Sequence, residues 1–272
     1  MKKCLGILIF MGWFIGNSPA EEVSQNFQGF NLQGYTKSGD KAWDVNSDTA
    51  QILGSEVKLT NVDANAYGEQ KVNIKAKNGI IDKASGNMQL KEDVIITTET
   101  GETLTTEKLN WERSSDLVHT DEEVTITNER MTAVGKGAQI RPNLKVAQMN
   151  EDVTVKVQTE PQSPQDNILT ITSDGPMEMD QAKKMVTFRE NVVALMGDRR
   201  LDADEMVIYF DDAMRQIKEL ICTGNVLVTQ GENKSFSQQA IYRAADQKLL
   251  LIGKPQLTIV TEGEGSIQMM QP

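Results

Sequence analysis

The stretch that decides the fold reads Gly79-Ile80-Ile81-Asp82, then Ser85-Gly86-Asn87, then Met88-Gln89-Leu90-Lys91-Glu92-Asp93-Val94. Strand-like segments flank a group of residues suited to a tight turn. The polar pair Glu92-Asp93 ahead of Val94 then recurs. It returns as Glu122-Glu123-Val124, Glu151-Asp152-Val153, Glu190-Asn191-Val192, Gly224-Asn225-Val226 and, more weakly, Pro255-Gln256-Leu257. Successive apolar anchors lie 30, 29, 39, 34 and 31 residues apart. Each repeat reads as two or three short strands that cannot bury an apolar face alone. Stacking such units builds one continuous interior.

Outward from this stretch the same period-two pattern persists. Lys71-Val72-Asn73-Ile74-Lys75-Ala76, Val124-Thr125-Ile126-Thr127 and Val153-Thr154-Val155-Lys156-Val157 each place Val or Ile on one face and polar residues on the other. The expectation is an all-β fold. Asp48 to Leu53 and Asp211 to Leu220 are the two places where a short helical turn is considered, the second also fitting strand–turn–strand. The longest gap between anchors contains Thr159-Glu160-Pro161-Gln162-Ser163-Pro164-Gln165-Asp166-Asn167, with two prolines and no apolar residue. It reads either as a linker between two modules or as a long surface loop in one fold.

Composition narrows the function. The chain has 272 residues, 28 Lys+Arg against 39 Asp+Glu, and a net charge of −11. Nucleic-acid binders draw much of their affinity from neutralising phosphates with Lys and Arg, so no nucleic-acid partner is expected. Cys4 and Cys222 are too few for a disulfide framework or a cysteine zinc site. His119, the single histidine, has no second histidine with which to hold a metal. Asp121-Glu122-Glu123 and Asp211-Asp212 read as solvated turns, since neither sits in a calcium-loop spacing. The basic pairs Lys183-Lys184 and Arg199-Arg200 could touch lipid phosphates or simply be solvated. No catalytic residue, cofactor or metal site is expected, and the chain does not read as an enzyme.

Residues 1–20 set the compartment. Lys2-Lys3 precede an uncharged apolar run from Cys4 to Gly16, and Ser18-Pro19-Ala20 supplies small residues for cleavage. The run is shorter than the ~20 residues that span a bilayer. A cleaved export signal is therefore expected, with a short N-terminal membrane anchor as the alternative.

Two parts of the chain resemble known families. Asn31-Leu32-Gln33-Gly34 through Lys41-Ala42-Trp43-Asp44-Val45 and Ala50 look like the start of LptC, as does Gly79-Ile80-Ile81-Asp82 through Val94. Leu104-Thr105-Thr106-Glu107-Lys108-Leu109-Asn110-Trp111 and His119 through Ile126 continue that likeness. Thr170 to Val260 is similar to the LptA/OstA repeat, on Met177-Glu178-Met179-Asp180, Phe188-Arg189-Glu190-Asn191-Val192, Leu201 to Met206 and Gly224-Asn225-Val226. The resemblance implies an open, twisted β-jelly-roll, a β-taco of repeated short antiparallel strands. It implies a module over 26–158, a linker at 159–167 and a second module over 168–262.

The implied function is non-enzymatic lipopolysaccharide transport in the periplasm. Lipid A acyl chains would lie in an apolar groove, and strand edges would pair with an inner-membrane ABC transporter and other bridge proteins. Groove candidates are Val94, Ile96, Val124, Ile126, Val153, Val155, Met177, Met179, Val192, Met206, Val226 and Val228, with Leu257 and Ile259 also on the inward set. Methionine suits variable alkyl shapes, and Met88, Met149, Met185 and Met214 also fall within the repeats. The competing expectation is an exported structural β-solenoid scaffold with a solid core.

Overall fold

The computed structural model describes residues 25–260 apart from 69–70, 159–167, 213, 215 and 247. The export-signal reading of residues 1–20 and the 159–167 segment therefore lie outside the described residues. Seventeen strands follow in chain order: β1 (Gln25–Tyr35), β2 (Lys41–Leu53), β3 (Glu56–Tyr67), β4 (Lys71–Asp82), β5 (Met88–Thr98) and β6 (Thr103–Glu112). Then come β7 (Leu117–Thr127), β8 (Met131–Arg141), β9 (Val146–Gln158), β10 (Ile168–Ser173), β11 (Met177–Asp180) and β12 (Met185–Met196). The last are β13 (Arg199–Phe210), β14 (Ile217–Gln230), β15 (Asn233–Arg243), β16 (Lys248–Ile252) and β17 (Gln256–Thr258). Among the described residues the only helical pieces are two 3-10 turns of three residues each, Arg113–Ser115 and Pro142–Leu144.

β1 to β9 form an antiparallel meander, each strand paired to the next. β10 and β11 lie end to end in one strand position, both paired to β9 on one side and β12 on the other. The meander resumes through β15, and β16 and β17 share the last position against it. Both shared positions are broken by a proline, Pro176 and Pro255. A proline has no N–H to give the ladder. One all-β sheet results, and among the described residues its two free edges are β1 and β16/β17.

The recurring polar pair is where each strand bends. Register shifts fall between Lys91 and Val94, Thr120 and Glu123, Arg189 and Val192, and Thr223 and Val226. Glu92, Asp93, Asp152, Glu190, Asn191 and Asn225 all take left-handed backbone angles, with φ between 46° and 68°. Asn and Asp tolerate that region better than most residues, and Gly224 (φ 79°) tolerates it freely. Such a bulge kinks the strand and turns the next side chain inward. Val94, Val124, Val153, Val192 and Val226 are accordingly at most 1% exposed. They mark a fold line that divides the sheet into two walls, and residues of both walls pack into shared cores. The sixth anchor differs, because Leu257 stays exposed on the edge position.

The two helical alternatives are not helices. Asp48–Leu53 belongs to β2, where β1 and β3 pair on both sides, and Asp211 donates its backbone N–H to the Gln216 carbonyl at 2.9 Å just before β14. Neighbouring strands override local propensity here. The cores also divide in an unexpected place. Residues from Val45 to Leu109 form one cluster, while another runs from Leu104 through Val153, Val155, Ile171 and Met177 to Ala240. Packing is continuous across the β9–β10/β11 seam.

Candidate functional site

The inner faces of the two walls form the candidate site. Residues opposite each other in an antiparallel pair share a face, so register alone defines rows that cross the sheet. On one wall a row runs Leu32, Val45, Ala64, Ile74, Ile96, Leu104, Ile126, Ala133, Val155, Ile171, Ala194, Leu201 and Val228. No polar residue interrupts it from β1 to β14. On the facing wall the outermost inner row runs from Ile52 through Val57, Ile81, Met88, Trp111, Val118 and Ile140. It continues through Ala147, Met179, Val186, Ile208, Leu220 and Tyr242 to Leu249. Val, Ile and Leu at alternate positions build these rows.

Depth separates the sequence-derived candidates into layers. Val94, Val124, Val153, Val192 and Val226 lie on the fold line, and Val155, Met177 and Met206 are buried beside it. Ile96, Ile126, Met179 and Val228 are half-buried further up the walls. Register therefore puts all twelve on the inner face, but only these four stand in the layer nearer the mouth. Trp111, Val118, Ile140, Leu169, Leu201 and Leu220 share that half-buried layer and were not among the candidates. Their signal was the same alternation, continued one step past each bend. Met149 lies inside, fully buried, whereas Met185 is on the outer face opposite Tyr209 and Met214 is in the turn before β14. Ile259 follows β17 and is exposed. At the mouth a small cavity of about 110 Å³ is lined by Ile140, Ala147 and Met179 with Arg141, Lys145 and Gln181 at its rim.

Polar groups hold the walls from outside. Asp44, on the outer face of β2 and only 4% exposed, accepts from Tyr67 Oη at 2.8 Å and Asn65 Nδ2 at 3.1 Å, with Lys41 Nζ at 2.7 Å. The Lys41 ammonium above all, with those two donors, holds its carboxyl down at about 2. Asn31 donates to Asn46 at 2.6 Å, tying the edge strand β1 to β2. Inside, Gly34 leaves room for the Trp43 indole: a Cβ there would lie 2.2 Å from Trp43 Cε2.

The remaining titratable candidates are not assembled into a centre. His119 lies on the outer face with Nε2 3.3 Å from Glu112 Oε1. Cys222 is fully buried between Met206 and Ala240, and burial pushes its thiol up to about 12. Among the described residues no group of three or more His, Cys, Asp or Glu could hold a metal. Lys183 pairs with Asp180 at 2.8 Å, Lys184 pairs with Asp212, and Arg200 pairs with Asp202.

An antiparallel sheet bent into two apolar-lined walls defines an open β-jelly-roll, or β-taco, fold. A family model described as lipopolysaccharide-assembly, LptC-related matches residues 7–160, more than half of the chain. A second, described as LptA/(LptD N-terminal domain) LPS transport protein, matches residues 170–268. The chain belongs to the LptC-related family and joins to it an LptA-like part; its role is in lipopolysaccharide transport. Proteins of these families are periplasmic transport components. No curated protein matches the chain.

Proposed function

We propose that the chain carries lipopolysaccharide across the periplasm, with lipid A acyl chains held between the two walls and the head group at the open mouth. The observation that carries this reading is the apolar row from Leu32 to Val228, which crosses the β9–β10/β11 seam without a polar break. In this reading residues 26–158 and 168–262 are two consecutive links of one bridge. The free edges β1 and β16/β17 extend it by strand addition toward the inner-membrane ABC transporter and further bridge proteins. An acidic chain gains nothing from long-range attraction to an anionic lipid, so acyl burial supplies the affinity, at roughly 25 cal/mol per Å². No residue performs chemistry, and directional movement draws on a partner's ATP hydrolysis. The N-terminal segment delivers the chain to the periplasm, either released by cleavage or kept as an inner-membrane attachment.

Photo-crosslinking residues at 96, 126, 179 and 228 test the reading in cells making lipopolysaccharide. Lipid adducts are expected at these four and not at the outward-facing 227. A folded, lipid-supplied protein without adducts at any of the four would favour a solid-cored scaffold.

A further inference from the structure

The methionines of the groove divide by depth. Met149, Met177 and Met206 are at most 7% exposed, on or beside the fold line. Met88, Met131, Met179 and Met196 are half-buried on the inner face, in the layer nearer the mouth. β11 holds both kinds. Met177 and Met179 lie two residues apart on one face, the first shielded between Met149 and Phe188 and the second standing toward the mouth.

Met179 is set apart by place and by access. It is the residue by which the second-wall row crosses the seam, between Ala147 of β9 and Val186 of β12. It also lines the cavity of about 110 Å³ at the mouth, beside Ile140 and Ala147 and below the polar rim of Arg141 and Gln181. That volume admits a molecule somewhat larger than water, which takes about 30 Å³ in the liquid. A small peroxide therefore reaches the thioether without any opening of the walls. The sulfur lone pair attacks one peroxide oxygen, the O–O bond breaks, and the other oxygen leaves as water with both protons. Sulfur is oxidised by two electrons, the peroxide is reduced, and a sulfoxide remains.

Building on the transport reading, we propose that Met179 is an oxidation site at which a peroxide-class oxidant forms the sulfoxide and so impedes acyl chains at the seam. The sulfoxide sets a strong hydrogen-bond acceptor into a row of Ile140, Ala147, Val186 and Ile208. An acyl chain lying there strips water from that oxygen and returns no hydrogen bond. Methionine sulfoxide reductases reverse the change, so passage resumes on reduction.

Hydrogen peroxide applied to the full chain, read by peptide mass spectrometry and by equilibrium lipopolysaccharide binding, tests this. Met179 should oxidise well before Met149, Met177 and Met206. Binding should fall by about tenfold, the scale of one uncompensated polar group, with the urea midpoint unchanged, and recover with reductase. Met179→Leu should bind as wild type does and resist the loss. Met179→Gln should bind about tenfold more weakly without any peroxide. Leu at 88, 131 and 196 together, or at the outward-facing 185, should leave the peroxide response in place. Oxidation of Met177 as fast as Met179, a loss that survives Met179→Leu, or full binding by protein oxidised at Met179 would each overturn the site and leave the transport reading standing. A loss accompanied by unfolding would overturn it equally. Failure of the untreated protein to bind lipopolysaccharide would overturn both proposals.

Discussion

Val226 and Val228 point to the same side of β14, yet Val226 is closed in on the fold line while Val228 stands half-exposed one step nearer the mouth. The same substitution should therefore have different consequences at the two positions. Val226→Asp buries an unpaired carboxylate and should cost about 4 kcal/mol or more, read as loss of the folded state in urea. Val228→Asp should cost about 1–2 kcal/mol, leave the fold intact and weaken lipopolysaccharide binding. Equal destabilisation at both sites would mean that the upper layer is as closed as the fold line.

Trp43 depends on the absence of a side chain at position 34. Gly34→Ala places a carbon 2.2 Å from the indole, too close without moving a bulky ring. A loss of about 2 kcal/mol is expected from such overpacking. Amide exchange should quicken along β1 and β2 and stay unchanged beyond β9, because the strain is local.

Asp44 should make stability depend on acid. Its folded value is near 2, below the 3.8 of an unperturbed aspartate. Its stabilising contribution is therefore fully present above about pH 4 and is lost as pH falls through 2. Asp44→Asn should be less stable than wild type at pH 6, and the gap should close at pH 2. A gap independent of pH would show that the Lys41–Asp44 pair contributes nothing.

The seam between the two parts should hold without its covalent tie. β9 pairs with β10 from Ile168–Gln158 to Ser173–Val153 and with β11 from Met177–Met149 to Asp180–Val146. A protease site introduced within 159–167 of the full chain should yield fragments that co-elute and melt in one transition. Fragments that separate on gel filtration would show two independent modules.

Much of this architecture can be read from residues such as Glu92-Asp93-Val94. A polar pair able to take left-handed angles, followed by Val, specifies a bend and a buried anchor together. Alternation then assigns faces, as at Val153, Val155 and Val157. Depth is different. Val226 and Val228 look alike in sequence, and only the location of the bend and the rows on both neighbours separate them. The seam was ambiguous for a related reason. Two prolines at 161 and 164 suggest a break, whereas the pairing that bridges it depends on β9 and β10 meeting in register.

The proline-broken strands have a consequence for reach. Because β10 with β11, and β16 with β17, each fill one place, the described residues make fifteen strand positions from edge to edge. At ~4.8 Å per position its two free edges stand about 65 Å apart along the hydrogen-bonding direction. The molecule is thus a ruler graduated in strands. Adding or removing one hairpin changes its span by roughly 10 Å, while lengthening the 159–167 segment changes it not at all. The distance between its two edges is encoded in how many times the strand repeat is written.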